Sequence, residues 1–200
     1  MMNSVSRYTP IPHLQQALYR HQSDLFQRYS KILMIRTDFH WREKTDRYRY
    51  GDIHQLATDM TLLMLRLSEV SGIIGHAWVI EDGLDRGLHA HAVIYVNGQQ
   101  HRKKWAFCER MNQLWKIITE GEGYLYHCPD KQDYQASIRF PVDYRHEAGR
   151  ADMRYVVNYL AKSEQKGDKP VYTLSTLSSY KPTGRSRHRK RRSSRSKQTE

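Results

Sequence analysis

Between Ile73 and Val96 the sequence reads IIGHAWVIEDGLDRGLHAHAVIYV, two apolar runs around the connection Asp82-Gly83-Leu84-Asp85-Arg86-Gly87. Glycine and aspartate favour turns, and the flanking runs are rich in β-branched and aromatic residues, so the stretch predicts two strands joined back to back. Side chains alternate faces along a strand, so His89 and His91, in the run Leu88–Val96, project to the same side. Two imidazoles on one face can share a divalent metal ion. Glu81, at the end of the first run, can return across the connection with a carboxylate. The pattern is cheap, because 11 His among 200 residues give a His-x-His triplet about 0.6 times by chance. The rest of the chain decides between a metal site and a pair of hydrogen-bonded histidines on a sheet face.

Around this pair the hydrophobic spacing predicts a helix over His13–Tyr29, with Leu14, Ala17, Leu18, Leu25 and Phe26 on one side, after a loose arm over residues 1–12. Lys31–Phe39 reads as a buried strand and Trp41–Asp52 as a surface loop. Ile53–Val70 is a strongly amphipathic helix on Leu56, Met60, Leu63, Met64 and Leu67, closed by Gly72. After Asn97-Gly98, Arg102–Glu120 predicts a helix with Trp105, Cys108, Trp115 and Ile118 as its apolar stripe. Tyr124–His127 and Ser137–Val142 are weaker strands, Ala151–Ser163 is a further helix, and the pattern fades beyond Gly167. Hairpin-joined strands crossed by helices imply an α+β fold with a mostly antiparallel sheet. The division expected is an N-terminal arm and helix over 1–30, a core domain over 31–166, and a tail over 167–200.

The formal net charge of +12 points to a polyanionic partner, above all nucleic acid. From Lys181 to Glu200 there are nine basic residues and one acid, hence +8, while the other 180 residues hold 24 basic against 20 acidic residues, hence +4. The Ser/Arg/Lys-rich tail has no apolar content to offset the entropy of ordering and is expected to be disordered. Cys108 and Cys128 have no C-x-x-C spacing, which argues against a disulfide framework or zinc finger. No signal peptide or long apolar run is evident, so the expected location is the cytoplasm, with no membrane partner.

The helix near the end carries Arg154-Tyr155-Val156-Val157-Asn158-Tyr159-Leu160-Ala161-Lys162. Tyr155, Tyr159 and Lys162 are spaced to share one helical face, while Met153, Val156, Val157 and Leu160 form another that is apolar enough to be buried. A phenol attacks phosphorus well only as its phenolate, and an ammonium beside it favours that form and attracts phosphate. A metal held by two histidines and a carboxylate can polarise a phosphodiester. The two constellations therefore complement each other.

His89-Ala90-His91 followed by Tyr155-x-x-x-Tyr159-x-x-Lys162 resembles the HUH endonucleases, specifically the two-tyrosine rolling-circle replication initiators, with the look of inovirus-type phage and prophage proteins. The resemblance spans about residues 31–163. It implies a five-stranded antiparallel sheet with both histidines on a central strand, and His89, His91 and Glu81 as metal ligands, with His76 or Glu122 as substitutes for the third. It implies Tyr159 and Tyr155 as nucleophiles assisted by Lys162, Mn²⁺ or Mg²⁺ as cofactor, and nicking of single-stranded DNA at a replication origin through a 5′-phosphotyrosine intermediate. A bacterial host cell would supply helicase and polymerase, because no helicase motif follows. Two other readings compete: a non-catalytic DNA-binding regulator with a nuclease-like fold, and a zinc hydrolase built on His89, His91 and Glu81.

Overall fold

The computed structural model describes residues 8–84, 86–128, 136–167 and 169–177; the expected disordered tail from Lys181 lies outside them. Helix α1 (Pro12–Arg28) starts on a proline, whose fixed φ and missing N–H suit a first helical position. Strand β1 (Lys31–Trp41) follows, then a one-turn helix α2 (Asp46–Tyr50) and helix α3 (Ile53–Ser68). The Asp52 carboxylate caps α3 by accepting from the Gln55 N–H at 2.8 Å. Gly72, at φ +97°, makes the turn into strand β2 (Ile73–Gly83). Strand β3 (Gly87–Asn97), helix α4 (Trp105–Ile118), strands β4 (Gly123–His127) and β5 (Val142–Asp143), helix α5 (Glu147–Leu160) and strand β6 (Tyr172–Leu174) complete the order.

The strands form one antiparallel sheet in the order β4-β1-β3-β2-β6, with β5 pairing the start of β1. Strand alternation sends Leu33, Ile35, Phe39, Trp78, Ile80, Ala92 and Ile94 to one face, where α3 and α4 cover them. The opposite face presents Ile32, Met34, Ala77, Val79, Val93 and Tyr95 to α1 and α5. This second face changes character along its length. In register toward the far end of β1, β3 and β2 it carries Arg36, Asp38 and His40, then His89 and His91, then Glu81. A core face that turns polar while remaining buried must pair each charge, because an unpaired buried ion is strongly destabilising.

Several elements differ from the sequence reading. Trp41 belongs to β1 rather than to a surface loop; it is buried, and its indole N–H donates to Asp59 at 3.2 Å. On α4 the buried stripe is Phe107, Met111, Leu114 and Trp115, and Trp105 is 73 % exposed. Trp105 and Phe107 are two residues apart, about 200° around a helix, so only one can face the sheet. Only Val142–Asp143 of the stretch from Ser137 is a strand, because Pro141 has no N–H to pair. Helix α5 begins at Glu147 and ends at Leu160. The arm is tied at residues 9–11, where Ile11 N–H donates to Ala161 O and Ser163 N–H to Thr9 O. Strand β6 adds a sixth strand, beyond the point where the apolar pattern fades.

Candidate metal centre

The register sets the site. His40 and Glu81 flank His89 on the two neighbouring strands, and Asp38 lies beside His91. His91 Nδ1 is 2.6 Å from Asp38 Oδ1, and His89 Nδ1 is 2.9 Å from the Gly87 carbonyl oxygen. A carbonyl oxygen only accepts, so His89 carries its proton on Nδ1. Burial works to raise the Asp38 pKa, but the His91 hydrogen bond and the neighbouring positive charges outweigh it and hold the carboxylate ionised. His91 Nδ1 is therefore also a donor. Gly87, at φ +61°, supplies both the turn into β3 and the carbonyl that orients His89.

With both Nδ1 atoms committed, the two Nε2 lone pairs face one another at 3.1 Å. Glu81 Oε2 is 3.2 Å from the Nε2 of His91 and 3.9 Å from that of His89. The three residues are buried, and one ligand atom from each lies within 4.8 Å of the others. Lys162 Nζ, 2.8 Å from Glu81 Oε2, serves that oxygen, but the two facing Nε2 lone pairs still call for a proton or a cation between them. A proton on His91 meets that need, since the bonds to Asp38 and Glu81 raise its pKa against the effect of burial. A metal ion can also meet it, satisfying all three acceptors at once, and imidazoles oriented through Nδ1 by a carboxylate or carbonyl are the usual support of a metal-binding histidine. The group Glu81, His89 and His91 can hold a metal ion. Of the substitutes for the third ligand, Glu122 instead accepts from the Arg47 N–H at 2.8 Å, and His76 belongs to no metal-ligand group among the described residues.

Glu81 is the hub of the surrounding charge. Its Oε1 accepts from Lys166 Nζ at 2.6 Å, and its Oε2 lies 2.8 Å from Lys162 Nζ. Burial alone would raise its pKa, yet His91, Lys162 and Lys166 bring it down to about 2. Burial pushes the Lys166 pKa down and also opposes the charge on Lys162, but the bonds of Lys162 to Glu81 and Tyr159 raise its pKa overall. His40 stacks on His89 with ring centroids 5.1 Å apart, and burial with the neighbouring His89 lowers its pKa to about 4.

Tyr159 comes down onto this cluster from α5. Its hydroxyl is 3.0 Å from Lys162 Nζ, its ring meets the His91 ring edge-on at 4.9 Å, and the Arg36 guanidinium lies 4.4 Å from its ring centroid. No protein-family model, curated protein or solved structure matches this chain. The geometry therefore stands on its own. Lys162 does not extend the helical face of the tyrosines, since α5 ends at Leu160. It reaches Tyr159 because residues 161–163 pair with residues 9–11 of the arm, which turns its side chain inward to 5 % exposure. Tyr155, one turn earlier, is 46 % exposed. Sequence reasoning missed Arg36, Asp38 and His40, although charged or polar residues at every second position of an apolar strand were a readable sign of one polar face. It also missed Lys166, which no local pattern marks.

Proposed function

We propose that this protein is a metal-dependent nickase of single-stranded DNA that initiates rolling-circle replication, with Tyr159 as the nucleophile. The observation that carries the reading is a shared lysine: Lys162 Nζ lies 3.0 Å from the Tyr159 hydroxyl and 2.8 Å from Glu81 Oε2. One ammonium thus joins helix α5, whose Tyr155 and Tyr159 are one turn apart, to the buried ligand group. A bound Mn²⁺ or Mg²⁺, held by His89, His91 and Glu81, would supply Lewis acidity toward a phosphodiester oxygen. Imidazole ligands suit Mn²⁺ better than Mg²⁺.

In this reading the Lys162 ammonium, 3.0 Å from the Tyr159 hydroxyl, holds that oxygen in place and attracts the phosphate. The Tyr159 hydroxyl gives up its proton to solvent as its oxygen forms a bond to phosphorus, and the bond from phosphorus to the 3′ oxygen breaks. The leaving oxygen takes up a proton and becomes the 3′-hydroxyl that primes synthesis, while the 5′ end stays on the protein as a phosphotyrosine. Arg36 over the Tyr159 ring and His91 at its edge fix the direction of attack. Tyr155, one turn away on α5, provides the second nucleophile that rejoins the ends. Host helicase and polymerase in a bacterial cytoplasm complete the cycle. The test is His89→Ala/His91→Ala with Mn²⁺ and a randomised single-stranded oligonucleotide pool. Cleavage should vanish while DNA binding and the circular-dichroism spectrum persist; cleavage at the wild-type rate would remove the histidines from the reaction.

A further inference from the structure

Beside the metal centre, at the end of the sheet, a second concavity of about 470 Å³ opens under the β2–β3 connection. His40 is the partition: its ring stacks on His89 on one side and lines this concavity on the other. The remaining walls include Tyr48 from α2, Tyr124 and Tyr126 from the edge strand β4, and the guanidinium-bearing Arg42 and Arg86. Strand alternation places Tyr124 and Tyr126 on the face that carries His40 and Asp38, since Tyr124 pairs with His40 and Tyr126 with Asp38. All three tyrosines leave more than a third of their surface in solvent: 38 % for Tyr48, 47 % for Tyr124 and 39 % for Tyr126.

Three exposed aromatic rings clustered around one hollow are unusual on a protein surface unless something covers them. The charge limits what that can be. Arg42 and Arg86 outweigh the one acid of the lining, Glu43. Arg42 is also pre-positioned, because its Nε donates to Gly123 O at 3.0 Å and its backbone N–H to Glu122 O at 2.7 Å. Flat π-faces beside planar guanidinium groups suit a flat, electron-rich ring attached to a phosphate. A phosphate alone would need no aromatic walls, and an apolar peptide would gain nothing from two arginines.

We propose that this hollow binds an unpaired nucleobase of single-stranded DNA, stacked on Tyr124 and Tyr126 with its backbone near Arg42 and Arg86, one histidine ring away from the metal centre. The inference rests on the nickase reading for its choice of DNA and adds what that reading lacks, a place where the strand next to the cut is gripped. Stacking requires the base to be free, so the site selects single strands over duplex.

The test keeps binding apart from cleavage. Tyr159→Phe protein in EDTA is titrated with a single-stranded oligonucleotide containing 2-aminopurine, and with the same oligonucleotide annealed to its complement. The single strand should bind with a fluorescence change and the duplex much more weakly. Adding Tyr124→Ala/Tyr126→Ala should weaken single-strand binding by about tenfold or more, while Tyr124→Phe/Tyr126→Phe, which keeps both rings, should bind like the parent. Both positions are solvent-exposed, so the alanine variant should melt like the parent. Unchanged binding by the alanine variant, an equal loss in the phenylalanine variant, or equal affinity for duplex would overturn the proposal. A wild-type protein that forms no adduct while these binding results hold would sink the nickase reading and leave the base site standing.

Discussion

Asp38→Asn is the most informative single substitution at the candidate metal centre, because it changes one charge and almost no volume. Asp38 and His91 are 3 % and 2 % exposed, and their contact is 2.6 Å long. A hydrogen bond to a charged group contributes about 1.5–3 kcal/mol. An asparagine oxygen can still accept from Nδ1 but lacks the charge that increases the basicity of Nε2. If the carboxylate acts mainly by preparing Nε2 for a cation, nearly all of that energy appears in metal affinity. This corresponds to a weakening of about 10- to 100-fold, the range typical of a metal-supporting carboxylate. Calorimetric titration of Mn²⁺ into the wild type and the variant measures it directly, with circular dichroism as the control for folding. An unchanged dissociation constant would show that Asp38 does not orient a metal ligand, and the tautomer argument for the site would fail.

Acid should destabilise the fold through the half-buried His76 of β2. Burial, aided by the neighbouring His21, lowers the His76 pKa to about 4, so the neutral form is favoured in the fold and protonation in the unfolded chain. Its contribution is intact above pH 6.5 and is lost as pH falls from 6.5 to 4, by at most about 3 kcal/mol. Urea denaturation at pH 7 and pH 4.5 should show a smaller acid loss in His76→Phe than in the wild type, and equal losses would refute the assignment. Deleting residues 181–200, which carry a net +8, should flatten the salt dependence of DNA binding without changing the cleavage site. An altered cleavage site at an unchanged salt slope would contradict that role.

What could be read from the sequence followed periodicity, and what could not depended on pairing between distant segments. The two-residue repeat placed His89 and His91 on one face, and the short connection brought Glu81 within reach, both from local spacing. The mixed fold, its antiparallel sheet and helix α3 were legible for the same reason. The register that sets Asp38 beside His91 is a relation between strands more than fifty residues apart. Periodicity within β1 marks its polar face but cannot say which neighbour that face meets. Lys166 and β6 were invisible because they follow the last helix in a polar stretch, and only the free edge of β2 gives them a role. Helical spacing groups Lys162 with the tyrosines, yet it reaches Tyr159 through the pairing of residues 161–163 with the arm.

The nickase proposal has Tyr159 attack phosphorus beside a metal held by His89, His91 and Glu81. Incubating the protein with Mn²⁺ and a randomised single-stranded DNA pool, digesting it, and mapping the DNA-linked peptide by mass spectrometry tests this in one step. The expected result is a phosphotyrosine adduct on Tyr159 that is absent in EDTA and absent from Tyr159→Phe while Tyr155→Phe still forms it. An adduct only on Tyr155 would reverse the roles of the two tyrosines, and DNA binding with no adduct on either would rule out tyrosine-mediated nicking.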